Sequence, residues 1–190
     1  MPRWEPDARE RFVVAALELF TDQGYDETTV AQIAERAGLT RSTFFRHFAD
    51  KREVLAAGQE TLSALLAEGI ASAPAGASPF EAVAAGLQNA AAAMTPFNRA
   101  LGPRVEAAIS TSTELQERAV LKRVGMASAM AEALRDRGVD DTVAVMAAEL
   151  GVLSFKVSFE EWTSDGNEAD LTDLAAAALQ RFQSAMGQLQ

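Results

Sequence analysis

Arg41, Ser42 and Thr43 stand side by side, followed at once by Phe44 and Phe45, in the stretch GLTRSTFFRHFADK that spans residues 38–51. These types suit anion recognition. Guanidinium forks bond phosphate or base edges, small hydroxyls bond phosphate oxygens, and the free amides of a helix start favour negative charge. A core helix has no use for three adjacent polar residues, and a solvent-facing helix has none for paired phenylalanines. The mixture fits a short helix with one face in a core and the other against something anionic. Between Arg36 and Arg52 lie five cations (Arg36, Arg41, Arg46, Lys51, Arg52) and one anion, Asp50, a local net of +4 in a chain whose total is −10. A basic patch in an acidic chain permits phosphate contact at one place and repels it elsewhere.

The elements that must position this patch are helical. Asp7 and Glu10 supply the negative start of a first helix, Phe12, Ala16, Leu19 and Phe20 follow helical spacing, and Gly24 ends it. Thr29 with Gln32 is a capping box for a second helix over 30–37, closed by Gly38. Thr40 caps a third over 41–48, and Asp50 with Glu53 opens a long fourth that runs to Ser72. SAPAGASP (72–79) is a loop, after which Ser78, Pro79 and Glu81 restart the pattern. Thr95-Pro96 breaks it again. The sixth helix reaches Ser110 with an expected kink or break at Gly102-Pro103. Thr113 and Gln116 box the seventh, Asp140 and Asp141 begin the eighth, and the ninth runs from Asp170 to the C-terminus. The expectation is an all-α chain of about nine helices.

Two short helices joined by Gly38-Leu39-Thr40 are the grammar of a helix-turn-helix, whose second helix presents its N-terminal residues to base edges in the major groove of double-stranded DNA. Phe44 and Phe48 share one face at i,i+4, assigned to a core with Ile33 and Ala37. Arg41 and Phe45 make a second such pair turned away from it. Arg41 suits guanine, and Phe45 suits a thymine methyl or the backbone. Thr29, His47 and Lys51 flank the helix within reach of phosphates, while Thr40, Ser42 and Thr43 lie at its start.

Residues 7–55 resemble the DNA-binding domain of the TetR family of one-component regulators. The positions that carry the likeness are Phe20, Gly24-Tyr25, Thr28-Thr29-Val30, Ile33-Ala34, Ala37-Gly38-Leu39-Thr40, Phe45, His47-Phe48 and Lys51. The family usually has tyrosine where this chain has Phe45, so an apolar contact carries over there and a phenolic one does not. The resemblance implies a helix-turn-helix domain over 1–50 and a helical effector-binding and dimerisation domain over 51–190. It further implies a homodimer through the last two helices, presenting two recognition helices to a palindromic operator.

The rest of the chain offers patterns more than motifs. The eighth helix carries Met146, Leu150, Leu153 and Val157. The ninth carries Leu171, Ala175, Ala178, Phe182, Ala185 and Leu189 at heptad spacing, a seam that suits either a monomer core or a partner helix. The family implies a central cavity, for which the candidate lining residues are Leu66, Leu87, Met94, Phe97, Leu101, Val105, Met126, Met130, Phe155 and Phe159. Arg104, Arg123 and Lys156 lie among apolar residues and could hold the acidic head group of a small hydrophobic effector. STSTELQERAVLKR (110–123) and FEEW (159–162) resemble acyl-CoA-type ligand-binding domains.

Other classes find little support. At 190 residues and 48% hydrophobic, the chain can bury about 70% of its unfolded surface, which argues against disorder. The absence of cysteine excludes a disulfide framework, a thiol nucleophile and a cysteine zinc site, and fits a reducing compartment. One histidine cannot complete a metal site. There is no Gly-rich phosphate loop after a strand and no nucleophile elbow, and Glu160 and Glu161 are adjacent and so diverge on a helix. No apolar run approaches the ~18 residues a membrane span needs, and the start is too charged for a signal peptide. The expectation is a cytoplasmic, cofactor-free DNA-binding regulator rather than an enzyme. A repressor released by its effector is favoured over an activator or an effector-independent DNA-binding protein of the same fold.

Overall fold

The structure, a computed structural model, describes residues 7–56 and 59–188, with side chains throughout except at 55, 56, 59 and 60. Among the described residues the regular structure is entirely helical: α1 (Ala8–Gln23), α2 (Val30–Arg36), α3 (Arg41–His47), α4 (Glu53–Ala56), α5 (Gln59–Ala71), α6 (Pro79–Ala92), α7 (Pro96–Ser110), α8 (Thr113–Asp136), α9 (Asp141–Thr163) and α10 (Leu171–Gly187). The expected fourth helix is represented by α4 and α5, and its passage through residues 57 and 58 lies outside the described residues.

Local cap chemistry sets most of the boundaries. Asp7 accepts from the Glu10 amide at 2.9 Å and starts α1. Thr29 with Gln32, and Ser78 with Glu81, form complete capping boxes, each satisfying amides that a helix start leaves unpaired. Three expectations need correction. The Glu53 carboxylate bonds the Ala49 amide, one residue upstream of the expected partner, while Asp50 accepts from Arg52 and Glu53. Thr113 is the first helical residue of α8, not its cap, and the Gln116 amide bonds the Ser112 carbonyl. Finally, α7 runs through Gly102-Pro103 without a break. A proline inside a helix removes one donor, and here the helix continues on its far side.

The chain divides into two compact units, Met1–Gly58 with Pro103–Val120, and Gln59–Gly102 with Leu121–Gln190. The first unit is therefore discontinuous, where a simple split after residue 50 was expected. Its core is aromatic. Phe12, Phe20 and Phe44 are fully buried, with Phe12 edge-on to Phe44 at 5.2 Å and to Phe48 at 6.3 Å. Edge-to-face rings add directional preference to plain burial, so α1 orients α3 as well as covering it. Phe20 meets Tyr25 at 5.0 Å at the other end of α1.

The second unit is built on close helix approach. Leu66 and Ile70 of α5, Val83 and Leu87 of α6, Met130 and Leu134 of α8 and Ala147 and Ala148 of α9 lie in one core, closed by Leu171, Ala175 and Leu179 of α10. Gly69 and Gly86 face the opposing backbones of α5 and α6: a Cβ on Gly69 would stand 2.6 Å from the Ala85 carbonyl, and one on Gly86 2.7 Å from that of Leu66. Arg137, beyond the end of α8, donates to the carbonyls of Ala71, Ala73 and Pro74 at 2.8–3.2 Å and so caps α5. Helix α9 departs from the composition-based expectation, being long and apolar enough to cross a membrane. Its small-residue face, from Ala144 to Phe155, is buried in this core.

Candidate nucleic-acid interface

Helix α3 divides its side chains as its spacing requires. Phe44 and Phe48 are buried against Phe12, whereas Arg41, Ser42, Phe45, Arg46 and His47 are exposed and Thr43 is half-buried. Phe45 is 52% exposed, although its ring touches Phe44 edge-on at 5.6 Å. An apolar ring of that size left in water beside two arginines suits a surface that another molecule covers.

The start of α3 is held by Thr40, whose hydroxyl accepts from the Thr43 amide at 3.1 Å and bonds the Thr43 hydroxyl at 2.9 Å. The Thr43 amide is thus already partnered and is not free for phosphate. Ser42 and Arg41 face outward from the same turn. Upstream, the Thr29 hydroxyl donates to Gln32 at 2.9 Å and accepts from its amide at 3.3 Å, so it begins α2 while remaining exposed at the surface. His47 lies beside Phe12 and Phe48, with centroids 6.2 and 6.4 Å apart, on the exposed end of α3.

Lys51 is engaged elsewhere than expected. Its ammonium donates to the carbonyls of Tyr25, Asp26 and Thr28 at 2.7, 3.2 and 2.9 Å, and sits 4.3 Å from the centre of the Tyr25 ring. Three donors meet three carbonyls, which leaves none for a phosphate. Lys51 is a tie that closes the α1–α2 connection onto the segment after α3. Arg11 does a similar thing at the α2–α3 turn, where its guanidinium donates to the Ala37 and Gly38 carbonyls. Neither tie has a sequence signal, because each links residues 23 to 27 positions apart.

Further polar links stay within the first unit. Glu18 of α1 pairs with Arg36 at 3.1 Å and with Arg104 of α7 at 3.6 Å. Tyr25, almost fully buried, donates its hydroxyl to Glu114 of α8 at 3.2 Å. Burial raises the Tyr25 pKa above the ordinary phenol value, and the negative charge of Glu114 raises it further.

The expected effector residues are distributed differently. Leu66, Leu87, Met126, Met130 and Phe155 are buried in the core of the second unit, with Met94 and Phe159 packed against it. Leu101 is also buried, and Phe97 and Val105 are half-buried, with Val105 belonging to the first unit. The suggested head-group cations lie at the surface: Arg104 pairs with Glu18, Lys156 with Glu160 at 2.6 Å, and Arg123 is exposed. Lys122, not singled out from the sequence, is half-buried one helical turn before Met126, and burial lowers its ammonium pKa. Among the described residues no carboxylate pairs with it. On α10 the seam residues Leu171, Ala175 and Ala178 are buried within the monomer, Phe182 is half-buried and Ala185 is exposed; Leu189 lies outside the described residues. On α9, Met146 and Leu153 are exposed. Among the described residues no group of three or more His, Cys, Asp or Glu could hold a metal ion.

Comparison with known proteins agrees with this geometry. Residues 12–57 match the family described as bacterial regulatory proteins, tetR family. The transcriptional regulator TcmR of Streptomyces glaucescens is 41% identical over 75 residues, which are 40% of this chain and 33% of that protein. SrpR of Pseudomonas putida is 47% identical over 51 residues, 27% of this chain and 24% of that protein. The match thus spans a third or less of the length of these two relatives. Likeness of fold extends further. The structure of SmeT, the repressor of the Stenotrophomonas maltophilia efflux pump SmeDEF, covers 93% of this chain and 89% of its own at 23% identity, with a TM-score of 0.54. FadR of Bacillus subtilis, solved with stearoyl-CoA, covers 90% of this chain and 95% of its own at 17% identity, with a TM-score of 0.58. The exposed face of α3 and the buried phenylalanines behind it fall within the matched residues, so the segment 12–57 is similar to the DNA-binding part of bacterial regulatory proteins of the tetR family.

Proposed function

We propose that the chain is a DNA-binding transcriptional regulator, a homodimer that holds a palindromic operator and is released from it by a small hydrophobic effector with an acidic group. The observation that carries this reading is the split of α3, with Phe44 and Phe48 in the core while Arg41, Ser42, Phe45 and Arg46 face outward. Arg41 is assigned to a guanine edge and Phe45 to a thymine methyl or sugar. Ser42, Thr43 and His47 are assigned to phosphates. Two-fold symmetry would set two such helices at ~34–36 Å, one turn of B-DNA apart.

The dimer is assigned to α9 and α10, supported by Met146 and Leu153, which are exposed apolar residues seven positions apart on one face of α9. The acidic, hydrophobic effector is supported by Lys122, a half-buried cation near the methionines of α8. It is supported too by the pattern of SmeT, a repressor, and of FadR, solved with an acyl-CoA. Release then follows from linkage, because an effector lowers operator affinity only by its differential affinity for the two conformations, typically ~1–3 kcal/mol.

The test is selection of duplexes from a randomised pool by the purified chain, followed by titration at rising salt. The expected result is an inverted repeat whose affinity falls steeply as salt rises, as phosphate contacts require. No enrichment, or enrichment with a flat salt response, would refute the reading.

A further inference from the structure

Arg11 and Phe12 are neighbours on α1, and they hold α3 at two different points. Phe12 packs on Phe44 and Phe48, which fixes the buried face of α3. Arg11 reaches instead to the turn before α3, where its guanidinium donates to the carbonyls of Ala37 and Gly38. These carbonyls lie at the C-cap of α2, Ala37, and just beyond it, where no further helical turn supplies a partner. The turn accommodates the guanidinium through Gly38, which has φ +64 and whose substitution by any residue with a Cβ would bring that atom to 3.0 Å from Arg11 Nη2. The rest of the turn is fixed by short-range bonds from the Gly38 amide to Glu35 and from the Leu39 amide to Ala34, both 2.9 Å.

We propose that Arg11 is a positioning residue for sequence reading: it holds the α2–α3 turn so that Arg41 and Phe45 meet base edges in a fixed register. The proposal rests on the reading of α3 as a DNA-binding helix. A charged donor bridging two carbonyls adds a polar tether at the turn to the ring packing of Phe12, and so limits displacement of the turn relative to α1. A small error in the pose of α3 costs base contacts, which need directed hydrogen bonds, before it costs phosphate contacts, which tolerate a shift. Arg11 is exposed, so direct contact with phosphate is the competing role, and the two roles differ in what charge does.

The experiment uses full-length protein with Arg11→Met, Arg11→Gln and Arg11→Lys. Each variant is titrated against a duplex selected by the wild-type chain and against a scrambled duplex of equal length and composition, well below its melting temperature. Positioning predicts that Arg11→Met lowers the ratio of selected to scrambled affinity about tenfold, the scale of one lost charge-assisted hydrogen bond, with an unchanged salt slope. Arg11→Gln, which keeps a donor and no charge, should recover part of the ratio. Phosphate contact predicts the reverse: both duplexes weakened alike, a slope reduced by about one, rescue by lysine and none by glutamine. That second pattern overturns the proposal. Amide exchange reads the turn without DNA: the Leu39 amide should exchange faster in Arg11→Met while the α1 amides do not change. Unaltered exchange at Leu39 overturns the tie even where wild-type DNA binding stands. If the wild type selects no duplex while Leu39 exchange still depends on Arg11, the DNA reading and the proposed role in reading sequence fall together, leaving the turn anchor alone.

Discussion

Tyr25 and Glu114, 89 residues apart in sequence, share a hydrogen bond of 3.2 Å within the first unit, with Lys51 lying over the tyrosine ring. The phenol is nearly inaccessible, and an anion accepts its proton, so both burial and charge favour the neutral form. The folded pKa is therefore raised above the unfolded value of about 10. Such a group contributes stability that is complete below about pH 10 and is lost as pH rises towards the folded pKa.

The first prediction follows from that sign. Above about pH 10 wild-type stability should fall by up to ~1.4 kcal/mol per pH unit from this group, and Tyr25→Phe should lack that component. The chain has one tyrosine, so tyrosinate absorbance reports Tyr25 without assignment. A phenol that ionises normally in the folded state would refute the argument.

Adjacent residues on α3 should behave oppositely. Phe44 is fully buried among Phe12 and Phe48, and Phe44→Ala should cost ~3–5 kcal/mol of stability. Phe45 is half exposed, and Phe45→Ala should stay within about 0.5 kcal/mol of wild type in stability while weakening the selected duplex by ~1–3 kcal/mol. Urea unfolding and duplex titration on the same preparations check both. Normal duplex affinity in Phe45→Ala would remove Phe45 from the interface.

The reach of sequence reasoning is set by distance along the chain. Thr29-Gln32, Thr40 and Ser78-Glu81 announce themselves because a cap acts over three residues, and the Phe44/Phe45 split follows from helical period alone. Lys51, Arg11 and Arg137 were illegible because each caps carbonyls brought near only by tertiary folding. The seam of α10 stayed open between core and partner for another reason. Heptad spacing says that one face of a helix is covered but not by what, and at Leu171, Ala175 and Ala178 the cover is the monomer's own core. Lys122 was missed because the sequence around it, AVLKRVG, reads as an ordinary amphipathic turn.

The α5–α6 contact provides a third prediction. At Gly86 a methyl would stand 2.7 Å from the Leu66 carbonyl and 3.0 Å from Ile70 Cγ1, and backbone cannot move as a flexible side chain can. Gly86→Ala should therefore destabilise the chain by ~1–3 kcal/mol through overpacking, against the usual gain of ~1 kcal/mol for replacing glycine by alanine in a helix. A neutral or stabilised melt would mean that the two helices separate at little cost.

Assembly gives the last prediction. Met146 is 49% exposed and Leu153 40% exposed, and their seven-residue spacing puts them on one stripe of α9. Neither contributes a buried side chain to the monomer, so Leu153→Glu should leave helical content and monomer stability within about 0.5 kcal/mol of wild type. If the stripe is the dimer seam, the same substitution places a carboxylate opposite its symmetry copy, without a partner charge, where like charges repel and desolvation is costly. Light scattering should then show the mass halved. Affinity for a full inverted repeat should drop towards that for a single half-site, because each α3 would bind without the other's assistance. The contrast with Ala175→Glu is informative: Ala175 is buried in the monomer, so that variant should unfold rather than dissociate. A Leu153→Glu chain that keeps both its mass and its preference for the full repeat would place the dimer contact on another face.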